Sequence, residues 1–239
     1  MEEHENNHSL TLRDLLPSLE FKNPFSQRSL LNESTAFLPL HFEKNYSYPL
    51  FIWLSGSNSG DRQLARVMPK ISLRNYIGVA PEICTQPHEP SALADAVFEC
   101  IDQACLRYNI NTQRIFIAGG ETGGSDALQL ALNHPDHFAG AISLCGCLPN
   151  SEAILGHIRT TRKTPLFIAQ SRDDHSFDED LFCDNLKTLH VGGFSVTARQ
   201  YPGTGSINDQ MLHDVDVWTM EVINGYDMTT SDQAPTEWN

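Results

Sequence analysis

The sequence predicts an α/β protein: a three-layer α/β/α sandwich on a mostly parallel, doubly wound sheet. Three observations carry this. Short, continuous apolar runs such as 49–54 and 115–118 recur along the chain. Longer stretches with apolar residues at a period of about 3.6 lie between them. A glycine-rich turn joins one such run to one such stretch near mid-chain. Strands that are apolar on both sides need cover on both faces, and helices between parallel strands supply it.

The elements follow in order. Polar residues 1–9 and 226–239 read as tails on a single domain spanning 1–239, with its core at about 36–224. Residues 23–48 hold short, turn-rich apolar pieces (29–31 and 36–40) that suit an N-terminal hairpin or edge strands. Strands are expected at 49–54, 76–80, 114–118, 138–144, 166–169 and 196–199. Helices are expected at 61–71, 90–108, 124–133, 178–190 and 207–223. In the second, Ala96, Val97, Cys100, Ile101, Ala104 and Cys105 repeat at the spacing of a buried helical face. In the last, Ile207, Met211, Val215, Trp218 and Val222 do the same, and both Trp53 and Trp218 fall on expected core faces.

Charge narrows the partners. With 30 acidic and 16 basic residues the chain carries −14, a surface that repels phosphate backbones and anionic lipids. Nucleic acid and membrane insertion are therefore not expected. No apolar run reaches the roughly 18 residues of a membrane span, and the first residues are acidic without a basic, then apolar, leader. A cytoplasmic location is the expectation. The six cysteines (Cys84, Cys100, Cys105, Cys145, Cys147 and Cys183) show no C-x-x-C spacing and read as buried thiols in a reducing compartment. Cys145 and Cys147 are placed on one strand and are not expected to bridge each other.

In sheets of this kind ligands sit beyond the carboxyl ends of the strands, so chemistry is expected in the loops there. Residues 114–144, containing Ile117-Ala-Gly-Gly-Glu-Thr-Gly-Gly-Ser125, resemble the central strand, elbow and helix of α/β-hydrolases, in their carboxylesterase/phospholipase (dienelactone-hydrolase-like) branch. Tyr48-Pro-Leu-Phe-Ile-Trp-Leu-Ser-Gly56 is similar to the strand and His-Gly turn that shape that family's oxyanion site, with Ser55 in the place of its histidine. Thr164-Pro-Leu-Phe-Ile-Ala-Gln-Ser-Arg-Asp-Asp174 resembles the strand ending on its catalytic aspartate, and Val196-Thr-Ala-Arg-Gln-Tyr-Pro-Gly203 the strand before its catalytic histidine. The likeness covers about 48–222.

That family works through a serine on a strained turn, an aspartate and a histidine in chain order. The resemblance implies Glu121 at the nucleophile position, Asp174 at the acid position and Gly205 at the histidine position, with Ser55, Gly56, Ser57 and Thr122 around the oxyanion or ligand site. Glu121 replaces the serine and Gly205 the histidine, so the expectation is a protein that has lost ester hydrolysis and binds a small ligand or a partner in the cleft. A carboxylate at a helix N-terminus lies beside backbone donors suited to an anion. Glu121 is accordingly read as a group that folds into the oxyanion site and blocks it. The alternative is an active carboxylic-ester hydrolase of esterase or lysophospholipase type, read with a one-residue shift, with Thr122 as nucleophile and His175 or His213 as recruited base. Ser125 lies a turn into the helix and points elsewhere.

Weaker signals resolve to structure. The turn is not G-x-G-x-x-G, because Glu121 holds the middle position, so no dinucleotide is expected. The acidic run 173–180 lacks the spacing of a calcium loop, and Asp173 or Asp178 reads as a helix cap. No cofactor and no metal are expected. The apolar N-terminal pieces leave a homodimer contact open.

Overall fold

Alternate residues of a strand point to opposite faces, so runs such as Leu50-Phe-Ile-Trp-Leu54 need two apolar partners, one on each side. The computed structural model supplies both. It describes residues 36–56, 60–81, 90–148, 164–174 and 179–225, all within the compact unit Glu33–Asn239. Among these residues the strands are β1 (Ala36–Phe37), β2 (Tyr48–Ser55), β3 (Ile77–Val79), β4 (Ile110–Gly120), β5 (Gly140–Leu144), β6 (Leu166–Ser171) and β7 (Val196–Tyr201). They form one sheet in the order β1-β3-β2-β4-β5-β6-β7. Every pairing is parallel except β1 with β3. The helices are α1 (Gly60–Ile71), α2 (Pro90–Arg107), α3 (Thr122–Asn133), α4 (Glu179–Val191) and α5 (Asp209–Ile223).

The layers follow from the alternation. Leu50, Ile52, Leu54 and Ile117 pack with Val97 and Ala104 of α2, Ala127 and Leu128 of α3 and Leu189 of α4. Phe51, Trp53, Phe116 and Ala118 pack on the other face with Leu64 and Met68 of α1 and Met211, Val215 and Trp218 of α5. Both tryptophans are 1% exposed, as the apolar stripes require. Trp218 lies over Gly140, where a Cβ would come within 2.8 Å of its ring, so the large side chain and the missing one are matched.

Several boundaries differ from expectation for local reasons. The helix expected from residue 124 starts at Thr122, because the turn before it is tighter than a glycine run alone implies. β5 begins at Gly140 instead of 138. It ends at Leu144, so Cys145 and Cys147 lie beyond the strand, and Cys145 has φ 57°. Of the expected N-terminal hairpin, β1 is the described part; residues 29–31 lie outside the described residues. The five described cysteines are free thiols, but Cys105, Cys147 and Cys183 are exposed, not buried. Cys84 falls outside the described residues. No described helix is long and apolar enough to cross a membrane.

One register places the site. Ser55 pairs with Gly120 across β2 and β4, which sets Gly56 beside Glu121 at the carboxyl edge of the sheet.

Candidate functional site

Glu121 sits between β4 and α3 with φ 54° and ψ −123°. A side chain rarely adopts that backbone, which costs about 1–3 kcal/mol and persists only where the surroundings impose it. Here they do. The Glu121 N–H donates to the Leu144 carbonyl at 2.8 Å, and the Glu121 carbonyl accepts from the N–H groups of Gly124 (3.0 Å) and Ser125 (3.1 Å). Glycines let the chain come this close: a Cβ at Gly119 would strike the Gly123 backbone, and one at Gly123 would strike the Leu54 carbonyl. The turn residue is therefore Glu121. Thr122 is the first residue of the helix, so the shifted register that would put Thr122 on the turn is not the geometry adopted.

The Glu121 side chain is exposed and makes no hydrogen bond to the helix end. It does not fold back into the turn as expected. What crowds the neighbouring loop is Thr122, whose Oγ1 fills the space where a Cβ on Gly56 would stand. The shorter, branched side chain reaches this slot because it leaves the helix start directly toward β2. Ser55 is buried at 5% exposure, and Ser57 lies outside the described residues.

Asp174 and Gly205 are also brought together. Ser171 and Tyr201 are register partners at the ends of β6 and β7. Beyond them the two chains stay tied: Arg172 N–H donates to the Tyr201 carbonyl (2.8 Å) and Asp173 N–H to the Gly203 carbonyl (2.9 Å). Asp173 Oδ2 in turn accepts from the Gly203 N–H at 3.3 Å. This corrects its reading as a cap on the following helix; Asp178 lies outside the described residues. Gly205 has φ 92°, and a Cβ built on it would lie 2.7 Å from Asp174 Oδ2 and 2.8 Å from its Cγ.

Between the two acidic groups lies a residue the sequence did not single out. The Cys145 thiol is 3.5 Å from the Ser171 hydroxyl. Burial raises its pKa; the Ser171 hydrogen bonds pull the other way, and the charges of Asp174 and Glu121 add to the rise. Such a thiol stays protonated and is a poor nucleophile. Both carboxylates are near enough to bear on it. Ser125 is committed elsewhere, its Oγ accepting from the Cys147 N–H at 2.9 Å. His213 is exposed on α5 and does not line the cleft at Glu121; His175 lies outside the described residues.

That cleft has a volume of about 370 Å³ and runs from Gly56, Glu121 and Thr122 to Ser206 and Ile207, with α1 forming a wall. Gln63, Arg66, Val67 and Lys70 face it, at the i, i+3, i+4, i+7 spacing of one helical face. Gln63 Oε1 accepts from the Trp53 indole at 3.2 Å, leaving its NH₂ as a donor. Lys70 pairs with Asp209 at 2.5 Å. Arg66 makes no ion pair or side-chain hydrogen bond among the described residues. The helical spacing was the available signal for this wall, but only the docking of α1 beside the turn shows that it faces a ligand-sized space. No group of three or more described His, Cys, Asp or Glu side chains could hold a metal ion.

No family model matches the sequence. A curated relative from Nocardia uniformis subsp. tsuyamanensis, named "Putative esterase NocK", is 31% identical over 87 residues, which is 36% of this chain and 24% of that protein. The match thus spans about a quarter of that relative's length. Among solved structures, a thermostable esterase superposes with TM-score 0.61 at 19% identity, over 78% of this chain and 57% of that one. A carboxylesterase from Mesorhizobium loti gives TM-score 0.59 at 17% identity, over 73% and 90%. SOBER1 of Arabidopsis thaliana gives 0.57 at 19%, over 74% and 100%. The chain has the α/β-hydrolase fold. Within that fold the strained residue between a central strand and the next helix, the Gly56 turn and the loops after β6 and β7 all open at the carboxyl edge of the sheet. The α/β-hydrolase architecture therefore accounts for why the Gly56 turn, the Glu121 turn and the loop after β7 meet at one cleft.

Proposed function

We propose that this esterase-like chain binds a small ligand in the cleft at Glu121 and does not hydrolyse esters by the α/β-hydrolase mechanism. The observation that carries this is the identity of the residue on the strained turn. A carboxylate there has no hydroxyl to deprotonate. It also places negative charge where acyl transfer develops an oxyanion, which works against the transition state. The second support is Gly205 beside Asp174: the aspartate has no imidazole at that position to orient.

The same groups suit recognition. Glu121 offers acceptors, while Arg66 and the Gln63 amide offer donors on the opposite wall, and Val67, Ile207 and Leu212 supply apolar surface. A ligand would be held by hydrogen bonds and burial without bond cleavage.

The test is an assay of the purified chain on short-chain p-nitrophenyl esters beside Glu121→Ala and Thr122→Ala. The expected outcome is no turnover above the Glu121→Ala control. Turnover that survives Glu121→Ala and is lost in Thr122→Ala would replace this reading with that of an active hydrolase using Thr122.

A further inference from the structure

A second cavity, of about 510 Å³, lies at the opposite edge of the sheet, where the strands begin. Tyr48 and Pro49 open β2, Arg114 stands in the first half of β4, and Ile223 closes α5. Two guanidinium groups line it, those of Arg74 and Arg114. Neither makes an ion pair or a side-chain hydrogen bond among the described residues, although Lys70, Lys187 and Arg199 all do. Arg114 is half-buried. In a chain with 30 acidic and 16 basic residues, carboxylate partners are abundant, and a partly desolvated cation left without one is costly. Glu43 shares the cavity wall but pairs with neither arginine. The remaining wall mixes the polar His41, Asn75 and Asn224 with apolar and aromatic surface: Tyr46 and Tyr48 meet edge to face with centroids 4.6 Å apart, and Met220 lies among the lining residues.

We propose that this cavity is a binding site for an aryl oxyanion. Arg114 and Arg74 take the anionic group, as planar forks suited to phosphate or carboxylate oxygens. The ring lies against Tyr46, which is 52% exposed and is backed by the buried Tyr48. This site is separate from the cleft at Glu121 and independent of what that cleft does.

Phenyl phosphate is the probe, titrated calorimetrically into the full chain. The expected result is saturable binding by the wild type that weakens by about tenfold or more in Arg114→Met, a change of roughly 1.4 kcal/mol. Arg62→Gln, which removes the same charge from an exposed position of α1, leaves the affinity unchanged. Without phenyl phosphate, Arg114→Met melts no lower than the wild type, because it removes an uncompensated charge and keeps the stem. The proposal is overturned by absence of saturable binding to the wild type, by equal affinity in Arg114→Met, or by equal affinity for inorganic phosphate. A lower melting temperature of ligand-free Arg114→Met would also overturn it, since the guanidinium would then be a structural group.

Discussion

Glu121 keeps a backbone that only glycine adopts without strain, φ 54° with ψ −123°, and its side chain gains no hydrogen bond from the helix end in return. Glu121→Gly should therefore stabilise the fold. Relief of about 1–3 kcal/mol of strain is offset by the extra freedom glycine gives the unfolded chain, about 0.5–1 kcal/mol. The net expectation is a gain near 1 kcal/mol, read from urea unfolding midpoints at unchanged slope. Glu121→Ala keeps the strain and should show no such gain. An equal gain for both would mean that the carboxylate's charge, not the backbone, is what destabilises. Gly205 presents the opposite case. Its φ of 92° and the nearness of Asp174 make any side chain there unfavourable.

At the scale of the element, the turn between β4 and α3 is held by glycines whose missing side chains make room for other backbone. Gly123→Ala should cost about 3 kcal/mol, at the upper end of overpacking, because the new Cβ meets the Leu54 carbonyl of β2. Thermal melts followed by circular dichroism would show it; a loss below about 0.5 kcal/mol, the range of an ordinary surface change, would refute the packing. This turn was largely legible beforehand. Four glycines around Glu121 between an apolar strand and an apolar-striped helix leave few alternatives, and the loops bearing Asp174 and Gly205 stood at matching strand ends. The helix start was misplaced by two residues because the strained φ of Glu121 lets Thr122 enter the helix at once. Cys145 was not legible, since its positive φ is imposed by the N–H bond to Ala169 of the neighbouring strand. The wall of Gln63, Arg66 and Lys70 was half legible: spacing gave the face, but not what the face looks at. Nor could sequence reveal that Thr122, not Glu121, occupies the slot at Gly56, because the two side chains leave adjacent residues of the same turn.

For the molecule as a whole, one network joins the last strand to the last helix. Asp214 of α5 accepts from the Tyr201 hydroxyl at 2.6 Å and pairs with Arg199 at 2.6 Å. Burial alone would raise the Asp214 pKa, but the hydrogen bonds from Tyr201 and Arg199 and the Arg199 charge outweigh it, so the carboxyl titrates below its ordinary value. A depressed carboxyl contributes stability above its unfolded pKa of about 3.9 and loses it as the pH falls through the lower, folded value. Wild type should therefore lose more stability than Asp214→Asn below about pH 4, while the difference between them stays constant from pH 5 to about 7. Parallel acid limbs in urea titrations would show that the network is not coupled to protonation.

The crowding at position 205 also bears on descent. A lineage that arrived at this loop from one with histidine at 205 would meet strain in returning. The returning side chain would enter an unfavourable backbone and meet a neighbour already in its space. The Asp174 carboxylate would have to swing aside, and the backbone strain at φ 92° would remain. If position 205 once held a histidine, as the proposed function implies, the geometry of the present loop weighs against its return.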